Sequence, residues 1–162
     1  MTEFSSMGAL AIHLAAAAVT EIRCLEHGLD ECGKRLVETM KGEIGHYQQG
    51  IGQFEAWGEL AESTEEQKAR NGYPAEAPLE ASGKMRDSFK HERHGLEVIA
   101  GSTDPKMVWH EFGTLRMVPR AVVGPAVLRN KECIRRTIGR AAVEGLIGGH
   151  AIHRMLGYDS LI

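Results

Sequence analysis

From Met7 to Tyr47 the apolar side chains return at three- and four-residue steps: Met7, Leu10, Leu14, Ala18, Ile22, Leu25, Leu29, Leu36, Met40, Ile44 and Tyr47. That period predicts helix. Ser5 or Ser6 stands where a cap is needed, while Gly28 and Gly33 weaken the middle, so the pattern fits one long helix with a soft joint or two shorter ones. Unbroken, such a helix is about 60 Å long at ~1.5 Å per residue, more than a domain of this size is wide. It calls for a partner beyond its own domain.

The pattern is lost from Gln48 to Ser82, where glycines at 50, 52 and 58, a run of acids, Asn71-Gly72 and prolines at 74 and 78 mark an extended connection. Within it, Ser63 or Thr64 followed by Glu65-Glu66-Gln67 predicts one short capped helix. Arg86 to Glu92 and Leu96 to Gly101 read as two strands around Arg93-His94-Gly95, a β-hairpin. Asp104-Pro105 opens a short helix carrying Met107, Val108 and Phe112 and stopping at Gly113. Thr114 to Val123 is a loop or further strand around Pro119. Gly124-Pro125 then starts a last long helix, with Val127, Leu128, Ile134, Ile138, Val143 and Leu146 on one face and Gly148-Gly149 as its stop.

The expected fold class is α+β. A long N-terminal helix (1–47) is followed by an acidic arm (48–83), an α+β core with the hairpin, short helix and C-terminal helix (84–149), and a tail (150–162), all in one domain.

Composition narrows this only a little. With 162 residues, 43% hydrophobic and 25% charged, the chain can build a core without staples. Cys24, Cys32 and Cys133 form no disulfide framework and no paired Cys-x-x-Cys, which fits a reducing cytoplasm. No basic region with an apolar stretch and cleavage site opens the chain, and His13 lies inside its longest uncharged run, so neither a signal peptide nor a membrane span is expected. Charge is the more telling feature. Residues 1–83 carry 14 acids against 6 bases and residues 84–162 carry 8 acids against 13 bases, a polarity suited to another copy of the chain or to a polyanion.

Enzyme signatures fail one by one. His110-Glu111 begins like a zinc-protease helix, but the second histidine position is Thr114 and Gly113 interrupts the helix. His91 and His94 read as solvated hairpin histidines, and Cys24 and Cys32 as small apolar fillers. No phosphate loop or nucleophile elbow is present. No catalytic residue, metal site or cofactor is therefore expected. The last helix carries Arg129, Lys131, Arg135, Arg136 and Arg140, but without interleaved aromatics. This leaves a solvated face, an inter-subunit or DNA-channel charge, or non-specific contact with a DNA backbone through helix 125–147.

One ordered series of residues resembles a known family. It runs Phe54-Glu55-Ala56-Trp57, Leu60-Ala61, Ser63-Thr64, Lys68, Pro78-Leu79, Ser82-Gly83, Met85-Arg86-Asp87-Ser88-Phe89 and Gly101-Ser102. His110-Glu111-Phe112-Gly113-Thr114, Met117, Pro119-Arg120 and Gly124-Pro125-Ala126 complete it. Over residues 54–130 the chain resembles the Mu-like virion morphogenesis proteins and the wider tail-completion or neck family of tailed phages. It departs from that pattern at Met85, where leucine is frequent, and at Ala121-Val122-Val123, which follow Arg120 without the family's proline and phenylalanine.

The resemblance implies a structural virion protein at the head-tail connection, synthesised in the bacterial host cytoplasm. It implies a ring around the DNA channel, a hexamer by the family's symmetry. Its implied partners are further copies of itself, the connector or head-closure proteins, the tail-terminator or tail-tube proteins, and packaged DNA through non-specific contact, with no membrane. The alternative from the residues alone is a non-specific DNA-binding module acting in packaging.

On the resemblance, Trp109, Glu111, Phe112, Gly113, Thr114, Arg116, Pro119 and Arg120 are the interaction candidates. Gly113 is expected to turn the chain left-handed, Phe112 to anchor that turn in the core, and Pro119 and Pro125 to stiffen the excursion into a rigid display. Trp109 and Phe112 read equally well as plain core residues. Alanine at Phe112 is then expected to damage folding, and alanine at Arg120 to spare the monomer but impair assembly.

Overall fold

The computed structural model describes residues 6–146. In chain order its elements are α1 (Met7–Glu43), α2 (Glu62–Arg70), α3 (Lys84–Asp87), β1 (Phe89–His94), β2 (Glu97–Ser102), α4 (Lys106–Phe112) and α5 (Val123–Leu146). The fold is α+β, with a long N-terminal helix, a two-stranded antiparallel sheet, short helices and a long C-terminal helix. The expected stop at Gly148-Gly149 and the tail 150–162 lie outside the described residues.

The chain divides into two compact units. The first holds residues 6–32, the hairpin tip 93–98 and residues 132–146; the second holds 33–92 and 99–131.

In the first unit α1 starts at Ser6, whose Oγ accepts the Ala9 N–H at 3.2 Å. The glycine at 28 does not break the helix. It is buried where α1 and α5 pass closest, and a Cβ there would stand 2.9 Å from that of Ala141. The two helices run antiparallel: Arg140 meets Glu31 at 3.2 Å, Ala141 and Thr137 lie on Gly28, and Gly145 lies on the backbone of Glu21. Small residues thus make the contact, and this corrects the expected apolar face of α5. Ala141 and Gly145 are buried while Leu146 is exposed. At the hairpin tip Arg93 pairs with Glu26 at 3.2 Å. Burial pushes the Cys32 thiol pKa up, with Cys133 and Glu31 adding to it.

From Ser6 to His27 no residue of α1 is buried. An 18-residue window near the start of α1, mean hydropathy 1.4, is long and apolar enough to cross a membrane by length and composition alone. The core helix of a soluble protein passes the same test.

In the second unit the core gathers Leu36, Met40, Ile44, Trp57, Phe89, Met107, Ala121, Val122 and Ala126. Here again α5 turns a small residue inward, Ala126, and leaves Val127 and Leu128 exposed. Gly124 lies so tightly under Phe54 that a Cβ would overlap the ring. Asn130 is buried, its amide donating to Thr39 Oγ1 at 2.8 Å and accepting from Arg35 at 3.0 Å. The Asn130 side chain is thereby satisfied, its amide also donating to Ala126 O at 2.8 Å.

Two sequence expectations change. The first strand starts at Phe89, because residues 84–87 wind into α3, where the Ser88 N–H reaches Lys84 O and the Ser88 Oγ donates to Met85 O at 2.6 Å. Arg86 is drawn back to Glu80 at 2.8 Å and to Ile44 O at 3.1 Å. α2 starts at Glu62 with Ala61 at its N-cap, so neither Ser63 nor Thr64 caps it; Glu62 and Glu65 instead bring negative charge to its first turn.

Candidate docking loop

Residues 104–124 form a short helix, an excursion and the start of α5, all in the second unit. Asp104 Oδ1 accepts the Lys106 N–H at 2.9 Å and starts α4, which buried Met107 anchors. α4 stops at Gly113, with φ 72° and ψ −179°, a conformation open essentially to glycine alone. A Cβ there would also stand 2.9 Å from Met117 O and 3.0 Å from the Pro119 ring.

The chain then folds back on itself. Thr114 N–H donates to Met117 O at 2.9 Å, Met117 N–H to Thr114 O at 3.2 Å, and Arg116 N–H to Thr114 Oγ1 at 3.3 Å. Arg120 N–H donates to His110 O at 2.7 Å and shuts the base of the excursion.

Glu111 is the central tie. Its Oε2 accepts the N–H groups of Val122 at 2.8 Å and Val123 at 3.0 Å, and its Oε1 accepts that of Gly124 at 2.8 Å. These are donors at the N-terminus of α5 that no carbonyl of that helix can satisfy, and the carboxylate also meets the positive end of the helix dipole. A side chain from one helix therefore caps another.

Three further bonds brace the frame. The Trp57 indole N–H donates to Ala121 O at 3.1 Å, and the Arg120 guanidinium donates to Gly58 O at 3.0 Å and Glu59 O at 3.1 Å. Burial, with Arg120 next to it, holds the His110 pKa below its ordinary value.

Five apolar side chains of this segment are exposed. Val108 and Trp109 are each 56% exposed, Val118 69%, Phe112 79%, and Leu115 fully so. Together they show solvent on the order of 500 Å² of apolar side-chain surface.

The sequence-predicted residues thus split by role. Trp109, Phe112, Thr114, Arg116 and Pro119 are exposed, whereas Glu111, Gly113 and Arg120 are committed inward. Phe112 does not anchor the turn in the core. The turn is held by hydrogen bonds and by Gly113, and the ring points to solvent. Arg120 Nη2 donates to two of this chain's own carbonyls, so alanine there removes an internal brace. Val108, read from the sequence only as a residue of the short helix, and Leu115 and Val118 were not among the interaction candidates. Their only signal was apolar residues inside a segment bounded by glycine and proline.

The basic residues of α5 also divide. Arg129 is paired with Glu43 and donates to Gln49 O, and Arg140 is paired with Glu31. Lys131, Arg135 and Arg136 are exposed. Glu43 is 4% exposed, and its Oε2 has no hydrogen-bond partner. Burial pushes its pKa up to about 7, outweighing the attraction of Arg129, and Glu111 adds to the rise. Among the described residues no group of three or more His, Cys, Asp or Glu side chains is arranged to hold a metal ion.

No protein-family model, curated protein or solved structure matches this chain.

Proposed function

We propose that this chain is a structural virion protein of a long-tailed bacteriophage, a neck or tail-completion component assembling as a ring at the head-tail connection. The observation that carries the reading is the braced loop, in which Glu111, Gly113 and Arg120 fix a frame while Trp109, Phe112, Leu115 and Val118 stand in water. A rigid apolar display suits contact with another protein, since little ordering entropy is left to lose on docking. The resemblance over residues 54–130 supplies the kind of assembly, and the acid-rich first half and base-rich second half suit contacts between copies.

The test is electron microscopy of particles from a phage or prophage lacking the gene, complemented with wild type or with Phe112→Asp and Leu115→Asp. Filled heads beside unattached tails, or tails of irregular length, are expected without the gene and with the aspartate variants. Complete infectious virions without the gene would refute the reading. Tight binding of duplex DNA by the isolated protein, falling steeply with salt, would instead favour a packaging role for Lys131, Arg135 and Arg136.

A further inference from the structure

The first half of α1 carries an apolar face apart from the side on which α5 packs. Met7, Ala11, Leu14, Ala18 and Ile22 recur at three- and four-residue steps and share one side of the helix, and all are exposed, Met7 at 80% and Leu14 at 59%. Ile12 and Val19 widen that face, 74% and 49% exposed. Leu10, Ala17 and Glu21 lie on the other side, in line with Gly28 where α5 makes its contact, and are half-buried. The partner that α1 has within its unit therefore leaves this face in water.

The braced loop is a second apolar surface on the same chain. On α4 Val108 and Phe112 are four residues apart and Trp109 and Phe112 three apart, which brings them to one face, and exposed Leu115 follows in the turn. The exposed charges of this segment are Lys106 and Arg116, both basic, since Asp104 and Glu111 accept N–H groups of their own chain.

We propose that the loop of one copy docks on the first half of α1 of a second copy, with Phe112 and Leu115 on the apolar face around Leu14. Each surface shows roughly 500 Å² of apolar side chain, so one such contact takes about 1,000 Å² from water, the size at which a specific interface between proteins begins. Unlike surfaces cover each other in a single kind of contact, whereas loop on loop or α1 on α1 leaves the other surface bare. Loop on loop also sets Lys106 and Arg116 against their own copies, while α1 belongs to the acid-rich half of the chain and the loop to the base-rich half. A lipid surface fits α1 less well, since Met7 to Ile22 holds no Lys, Arg, Trp or Tyr to anchor it at a headgroup layer. A contact between unlike surfaces repeats from copy to copy, and it rests on the ring reading above only for its closure.

Sedimentation velocity on the purified full chain tests this with Leu14→Asp, which damages only the helix face, and Phe112→Asp, which damages only the loop. Both side chains are exposed, so both variants are expected to keep the wild-type circular dichroism, and Ile12→Asp and Leu115→Asp repeat the test on each surface. Wild type is expected to associate as its concentration rises from micromolar to submillimolar, and each variant alone to associate about tenfold or more weakly. An equal mixture of the two is expected to form a heterodimer and stop there, because one variant keeps the loop and the other the helix face. A wild type that stays monomeric overturns the proposal. So does association retained by Phe112→Asp alone, which assigns the interface to α1 on α1, or by Leu14→Asp alone, which assigns it to loop on loop. A mixture no more associated than its components overturns it as well. Complete virions without the gene would refute the virion role and leave each of these outcomes unchanged.

Discussion

Replacing Glu111 and replacing its neighbour Phe112 should have opposite consequences. Glu111 accepts three backbone N–H groups at the N-terminus of α5, at 2.8, 3.0 and 2.8 Å. A hydrogen bond to a charged group contributes ~1.5–3 kcal/mol, and a cap of this kind costs about 1–2 kcal/mol to remove. The three bonds share one carboxylate and do not add, so Glu111→Ala should cost about 3 kcal/mol. That is a large part of the ~5–15 kcal/mol that holds a domain folded. Glu111→Gln should cost about 2 kcal/mol, because its amide carbonyl can still accept from one side while its NH₂ faces a donor. Phe112→Ala, by contrast, removes a ring already 79% exposed. It should cost less than about 1 kcal/mol, where a core phenylalanine costs ~3–5 kcal/mol. Urea unfolding followed by circular dichroism measures all three changes. A loss above about 2 kcal/mol for Phe112→Ala, or within about 0.5 kcal/mol of zero for Glu111→Ala, would show that the loop is held from its apolar side.

Glu43 predicts a pH dependence. Its folded pKa of about 7 lies above the ordinary 4.5, so the folded state holds the proton more tightly. Its contribution is most favourable below pH 4.5, falls as pH rises towards 7, and then levels off about 3 kcal/mol lower. The stability difference between wild type and Glu43→Gln, measured from pH 4.5 to 8, should show that fall; a flat difference would refute it. Gly113→Ala should cost about 3 kcal/mol in the same unfolding assay, because φ 72° with ψ −179° disfavours any Cβ and Met117 O stands 2.9 Å from it. Trp57→Phe keeps the ring packing but strands the Ala121 carbonyl, and should cost about 1–2 kcal/mol.

The long elements were legible because their signals are periodic and local. Met7 to Ile44 repeats at helical steps, Asp104-Pro105 starts α4 and Gly113 ends it. What the sequence hid depends on the partner. The inward side of α5 follows its small residues, Ala126, Ala141 and Gly145, because close approach to α1 outweighs the size of Val127 or Leu146. The boundary at Phe89 moved because Arg86 and Ser88 find polar partners that wind residues 84–87 into a turn. Phe112 was misplaced for a related reason. A phenylalanine before a helix-ending glycine reads as a core anchor by type, whereas the frame is fastened by Glu111 from one side and Trp57 from the other.

The division of labour inside the loop bears on which partner it suits. An inward carboxylate, a glycine in a conformation closed to other residues and an arginine spent on internal carbonyls are demanding requirements for a surface excursion. They fix in one geometry a set of apolar side chains that a monomer would do better to bury or replace. A phosphate backbone asks for accessible cations and has no use for Phe112 or Leu115 held rigid. On α5 three of the five basic residues named from the sequence, Arg129, Arg140 and Arg135, are already engaged by acids of this chain, the last in an exposed pair with Glu132. The investment lies in the apolar loop, which favours a protein surface over DNA as its partner.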